Sequence, residues 1–131
     1  MPNRDTEKER QFVIGASKGG YLELLQNSHF IIDPLTACCA AAEAGHLDIV
    51  QHFEANVDVK EYLLSAAASG GSLNILQWWK TKNYPWHTQA CAYAALNGHL
   101  SVLQWLRNNG CHWNEETCAF AASKGHLGQP K

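Results

Sequence analysis

The chain has 131 residues, 46% of them hydrophobic, and a formal net charge of −2. That is apolar material for one compact unit of ordinary globular composition, with a charge balance too near neutral for general attraction to nucleic acid. There is no basic run and no apolar stretch of membrane-spanning length, and the charged start Arg4-Asp5-Thr6-Glu7-Lys8-Glu9-Arg10 stands where a secretory signal would be apolar.

In chain order, Asp5 or Thr6 is placed to cap a first helix, and Thr6-Glu7-Lys8-Glu9 reads as a capping box. The charge on this helix suits a terminal element whose outer face meets water. It ends at Lys18-Gly19-Gly20, and a second helix runs from Tyr21 to Asn27. Asp33-Pro34 is a strong helix start, since proline lacks the amide that would go unpaired there. That helix runs through Thr36 to Ala44 and stops at Gly45; Leu47, Ile49, Val50 and Phe53 mark its partner. Asp58 with Glu61 signals the next start, with Leu63, Leu64, Ala67 and Ala68 as its inner stripe, ended by Gly70-Gly71. Leu73, Ile75, Leu76, Trp78 and Trp79 follow, then a turn at Asn83-Tyr84-Pro85. Helices over 88–97 and 100–108 make the next pair, closed by Gly110, and Asn114 with Glu115 and Glu116 opens a last one.

One phrase recurs through all of this: small residues, a glycine, then a leucine opening an apolar run. Its clearest copy is Ala94-Ala95-Leu96-Asn97-Gly98-His99-Leu100. The marker glycines Gly20, Gly45, Gly71, Gly98 and Gly125 are spaced by 25, 26, 27 and 27 residues. Such a period is the mark of a tandem array, because no unit can bury its apolar face alone. The expected units are 5–30, 31–56, 57–84, 85–112 and an incomplete 113–131, forming a single repeat array.

The fourth and fifth units resemble ankyrin repeats, through Ala94-Ala95-Leu96-Asn97-Gly98-His99, Val102-Leu103-Gln104-Trp105-Leu106 and Gly110-Cys111-His112-Trp113-Asn114. The short unit is similar to the repeats of giant viruses and some protists. The resemblance is strong from Asp33 to Leu127 and weak before it. It implies an all-α solenoid of stacked helix-turn-helix units. The period falls short of the family's usual span of about 33 residues, so short loops replace the long β-hairpin fingers. The Thr-Pro-Leu-His opening is absent, Glu116-Thr117-Cys118-Ala119 standing in its place.

The resemblance also implies a partner-binding concave face, lined by the two residues before each junction glycine. These are Glu43 and Ala44, Ser69 and Gly70, Leu96 and Asn97, Ser123 and Lys124, with Tyr84, His87, Asn114 and Glu115 added from the loops. Leu96 is the foremost candidate, because an exposed leucine there has little structural reason.

Three other constellations have plainer readings. Trp78, Trp105, Trp86 and Trp113 repeat at two positions and are expected in the core; Trp79 and Tyr84 are not assigned. Cys91 with His99 and Cys118 with His126 share a spacing of eight, but this follows the repeat period, and zinc ligands come in close pairs. The Gly-His histidines are therefore expected to hydrogen-bond near the helix junctions. The five cysteines lie mostly in Ala-rich phrases, where thiols behave as small buried hydrophobes and make poor nucleophiles.

The expected function is accordingly that of an intracellular, cytoplasmic interaction module, in host cytoplasm if viral, that binds an unidentified protein partner. No catalysis, cofactor, metal, nucleic acid or membrane is expected to be involved. The alternatives are a Cys/His metal- or redox-responsive protein and a truncated repeat remnant. The ending Gly128-Gln129-Pro130-Lys131 leaves no second helix after Leu127, so further repeats or self-association are expected at that edge.

Overall fold

The computed structural model describes residues 4–112, 115 and 119. Among them are eight α-helices and one 3-10 turn, with no strand. The helices are α1 (Arg4–Gly19), α2 (Leu22–Gln26), α3 (Pro34–Ala44), α4 (Leu47–Phe53), α5 (Glu61–Gly70), α6 (Leu73–Thr81), α7 (Thr88–Leu96) and α8 (Leu100–Asn108). The 3-10 turn, Glu54–Asn56, extends α4. No described helix is long and apolar enough to cross a membrane.

Each odd-numbered helix packs against the even-numbered helix that follows it. The odd-numbered helices also pack on one another in chain order: α1 on α3, α3 on α5, α5 on α7. Their composition makes this possible. Ala37, Cys38, Ala41 and Ala42 of α3, Ala67 and Ala68 of α5, and Ala90, Cys91, Ala94 and Ala95 of α7 are fully buried, and such short side chains let backbones approach closely. The even helices supply bulk on one side only: Ile49 and Val50, then Ile75, Leu76 and Trp79, then Val102, Leu103 and Leu106. Burying each such side chain contributes about 1.5–3 kcal/mol.

The reversals inside the pairs share one geometry. Gly20, Gly45, Gly71 and Gly98 have φ of 79°, 87°, 70° and 75°, the left-handed region open to glycine. The amide after each glycine bonds back to the last turn: Tyr21 to Ala16 O, His46 to Ala41 O, Ser72 to Ala67 O, His99 to Ala94 O, at 2.8–2.9 Å. This six-to-one closure satisfies carbonyls that the helix end would otherwise leave bare. Gly110, at φ 96°, ends α8 in the same way, with Cys111 N on Leu106 O at 2.9 Å.

At α3 the expected start is found: Asp33 accepts from Thr36 N at 3.3 Å and from Thr36 Oγ1 at 2.6 Å, with Pro34 first in the helix. Two other starts differ. Arg4 is already helical, so Asp5 and Thr6 lie inside α1 and not at its start. Asp58 does not cap α5; Lys60 takes that place with no side-chain cap bond, its Nζ turning back to Val57 O at 2.7 Å. Polar cover of the first pair is partial: Leu24 is 52% exposed, where the equivalent Ile49 and Ile75 are covered. Trp79 is the fully buried tryptophan, while Trp78, Trp86 and Trp105 are half-buried against the core, Trp86 meeting Trp105 edge-to-face at 5.8 Å. Trp113, the capping role of Asn114, and the residues around the last glycine, Gly125, lie outside the described residues.

Three changes test this construction by urea unfolding. A Cβ at Gly71 would add left-handed strain and meet the His99 ring at 2.7 Å, so Gly71→Ala is expected to cost about 1–2 kcal/mol or more. Gly15, exposed inside α1 with open space where a Cβ would stand, is the control: Gly15→Ala is expected to gain about 0.5–1 kcal/mol. Ser17 Oγ is buried without a partner where the equivalent positions hold Ala42, Ala68 and Ala95. Ser17→Ala is therefore expected to stabilise the fold by about 1 kcal/mol.

Candidate functional site

The ends of the odd helices are joined by a ladder. His46 Nε2 lies 2.9 Å from Lys18 O, and His99 Nε2 lies 2.9 Å from Ser69 O. A carbonyl oxygen only accepts, so each imidazole donates from that nitrogen. Between them Ser72 replaces histidine, its Oγ donating to Glu43 O at 3.0 Å, and Asn74 Nδ2 donates to Gly45 O at 2.8 Å. For His46, Ser72 and His99 the acceptor is the carbonyl two residues before the junction glycine of the preceding pair, whereas Asn74 reaches the carbonyl of the glycine itself. The expected histidine bonds at the junctions are thus present for His46 and His99, and each crosses from one helix pair to the preceding one.

This ladder takes up the backbone of the predicted site and turns its side chains outward. Glu43 and Ala44 are exposed, Glu43 pairing with Lys18 at 3.5 Å. Ser69 is half-buried, and its Oγ accepts from Asn97 Nδ2 at 2.9 Å; the same nitrogen reaches Tyr93 O at 3.1 Å. Asn97 is exposed. Leu96 is half-buried where an exposed leucine was expected. Gly70 is not a free position: a Cβ there would run into the Glu43 carbonyl, so α5 and α3 touch through bare backbone. Glu115 is exposed, and Asn114, Ser123 and Lys124 lie outside the described residues.

One turn earlier on the same helix faces lies a second row that the sequence reading passed over. Arg10, Ile14, Lys18, Leu35, Thr36, Cys39, Ala40, Glu43 and Ala66 line a shallow depression of about 370 Å³ across α1, α3 and α5. Tyr62 and Tyr93 stand at positions equivalent to Thr36 and Ala40, and are 57% and 42% exposed. Large aromatic side chains in Ala-rich helices were the available signal.

The loop residues are engaged within the fold. The Tyr84 ring packs edge-to-face on Trp79 at 4.9 Å and Trp78 at 6.3 Å, and its hydroxyl donates to Glu54. Glu54 is buried, with Lys82 Nζ at 3.8 Å and Lys60 Nζ at 4.0 Å. Both ammonium groups also lie within 6 Å of the Tyr84 ring centre, at 5.8 and 5.9 Å. His87 is half-buried at the start of α7 and lines a cleft of about 440 Å³ with Asp58, Val59 and Pro85.

The thiols are set for packing. Burial, then the neighbouring Cys39 and Glu54, pushes the Cys38 thiol up to about 12; burial, then Asp33 and Glu43, pushes Cys39 up to about 11. Cys91 and Cys111 form a contacting pair, treated below. Among the described residues no three His, Cys, Asp or Glu side chains gather as a metal site. Comparisons with protein-family models, curated proteins and solved structures give no match.

The hydrogen bond to Glu54, then burial and the Glu54 charge, raise the Tyr84 hydroxyl from 10.0 to about 12. Folding thus favours the protonated phenol. Its contribution is fully present below pH 10, declines as pH rises, and is lost by pH 12. Tyr84→Phe is expected to be less stable than wild type at pH 8, with the difference shrinking between pH 10 and 12 in parallel urea titrations.

Proposed function

We propose that the chain is a short-unit helical-repeat solenoid of the ankyrin type, working as a protein-interaction module. Its concave face is the shared face of α1, α3, α5 and α7, where a protein partner docks. The observation that carries this reading is a division of labour between equivalent positions. The junction glycines, the buried alanines and the donors to the preceding carbonyls recur from pair to pair, while Glu43, Ser69 and Leu96, and Thr36, Tyr62 and Gln89, differ at matching places on one face.

Exposed tyrosines on rigid helices suit recognition, since they offer large contact area with few rotors to freeze. Among the described thiols, Cys38, Cys39 and Cys91 are pushed toward the protonated form, which favours the binding reading over a catalytic one. The proposal places the module inside cells.

Selection of peptide or small-domain binders against the folded chain, followed by titration calorimetry, tests the face. Tyr62→Ser with Tyr93→Ser is expected to weaken binding about 30-fold or more. Gln77→Ala, on the exposed side of α6, is expected to leave binding within about two-fold. Binders that respond to the α6 change and ignore both tyrosines would remove the assignment.

A further inference from the structure

Counted back from the junction glycines, Cys38, Leu64 and Cys91 occupy equivalent buried positions on α3, α5 and α7. Val57, Tyr84 and Cys111 occupy equivalent positions in the loops that lead onward. Leucine, valine and tyrosine serve at these positions, so packing alone does not call for sulfur. Only at the end of the fourth pair, among the described residues, do cysteines fill both. There the sulfurs lie 3.3 Å apart.

We propose that Cys91 and Cys111 form an oxidisable dithiol, which hydroperoxide converts to a disulfide fixing α7 to the segment that leaves α8. A disulfide needs about 2.0 Å between sulfurs, so the pair has roughly 1.3 Å to close. The hydrogen bonds are arranged for it: Cys111 Sγ is 3.3 Å from His87 O, while Cys91 Sγ faces both the sulfur and, at 3.6 Å, the carbonyl of Cys111.

Cys111 is the sulfur to react first. Both residues are buried, but Cys111 sits in a loop between exposed Gly110 and His112, where a small local opening frees it, whereas Cys91 is held within α7. The hydrogen bond from Cys91 also lowers the Cys111 thiol below its ordinary range; the same bond, with burial, raises Cys91. The Cys111 thiolate attacks the peroxide, forming an S–O bond as the O–O bond breaks, and the alkoxide or hydroxide leaves with a proton as alcohol or water. Cys91 then attacks the Cys111 sulfur. The S–S bond forms, the S–O bond breaks, and the hydroxyl departs as water with the Cys91 proton. Two thiols lose two electrons and the peroxide gains them.

The oxidised chain carries a covalent loop around α8, which restricts the unfolded state. Among the described residues Cys38 has no thiol so placed across the fold; its sulfur lies 3.7 Å from Val50 O. The inference is independent of the binding face, and failure of either leaves the other standing.

The test uses the full, reduced chain at neutral pH with a small excess of hydrogen peroxide. Residual thiols are then alkylated and the chain is mapped by mass after cleavage at Lys, Arg and Glu. Expected are a loss of two hydrogens per chain, a cross-linked peptide joining Cys91 to Cys111, and a melting midpoint raised by several degrees, all reversed by dithiothreitol. Cys118→Ser should keep the cross-link and Cys111→Ser should lose it, with circular dichroism checking the fold; the wild-type map carries the test by itself. Pairing of Cys91 with Cys118, chains joined to one another, or oxidation confined to Cys39 would overturn the proposal.

Discussion

The side chain at the start of each later even helix reaches back across a pair boundary to a carbonyl at the end of the odd helix of the preceding pair. His46 does so to Lys18, Ser72 to Glu43 and His99 to Ser69. A helix end presents carbonyls with no partner of their own, and leaving one buried and bare costs about 1–3 kcal/mol. The neighbour supplies the missing donor, so one pair completes the next. The imidazoles of His46 and His99 lie where a side chain on Gly20 or Gly71 would stand, which gives those glycines a second reason to be bare. Each bond is modest. Its main effect is on alignment, because sliding one pair along another would break the ladder and uncover the alanine stripe together.

From this follows the character of the exposed face. The residues whose carbonyls serve the ladder project their side chains away from it, on backbone that cannot easily move. Ser69, Asn97 and Tyr93 are further tied by the Asn97 amide. Tyr62 and Tyr93 themselves project from helices, α5 and α7, and not from loops.

The opposite edge is braced by charge. Glu54 is buried at a 3-10 turn and gathers Tyr84, Lys82 and Lys60 from the two following loops. Burial of a carboxylate is costly unless its oxygens are matched. Here a hydroxyl and two ammonium groups match them, and the aromatic ring of Tyr84 is held between those charges and Trp79. Short connections can thus hold their shape without a strand.

Much of the architecture was legible locally. Spaced glycines, Asp33-Pro34 and the alternation of thin with bulky helices gave the eight described helices nearly in place, because helix stops and apolar stripes depend on neighbours a few residues away. The first helix and the start at Glu61 stand where expected, but Asp5 and Thr6 lie inside α1 and Lys60 holds the cap position of α5 in place of Asp58, since capping residues are common in helical and loop positions alike. The candidate site was half legible. Residues before each glycine could be counted, but their exposure could not. Gly70 and Tyr84 are constrained by groups far along the chain, Gly70 by the Glu43 carbonyl and Tyr84 by Glu54 at a separation of 30. The sequence by itself determined where helices form and end, because those choices are settled by backbone conformation within one turn. The tertiary structure decided which sulfurs meet, which glycine touches a carbonyl and which tyrosines remain in solvent, because each depends on how segments 20 or more residues apart pack together.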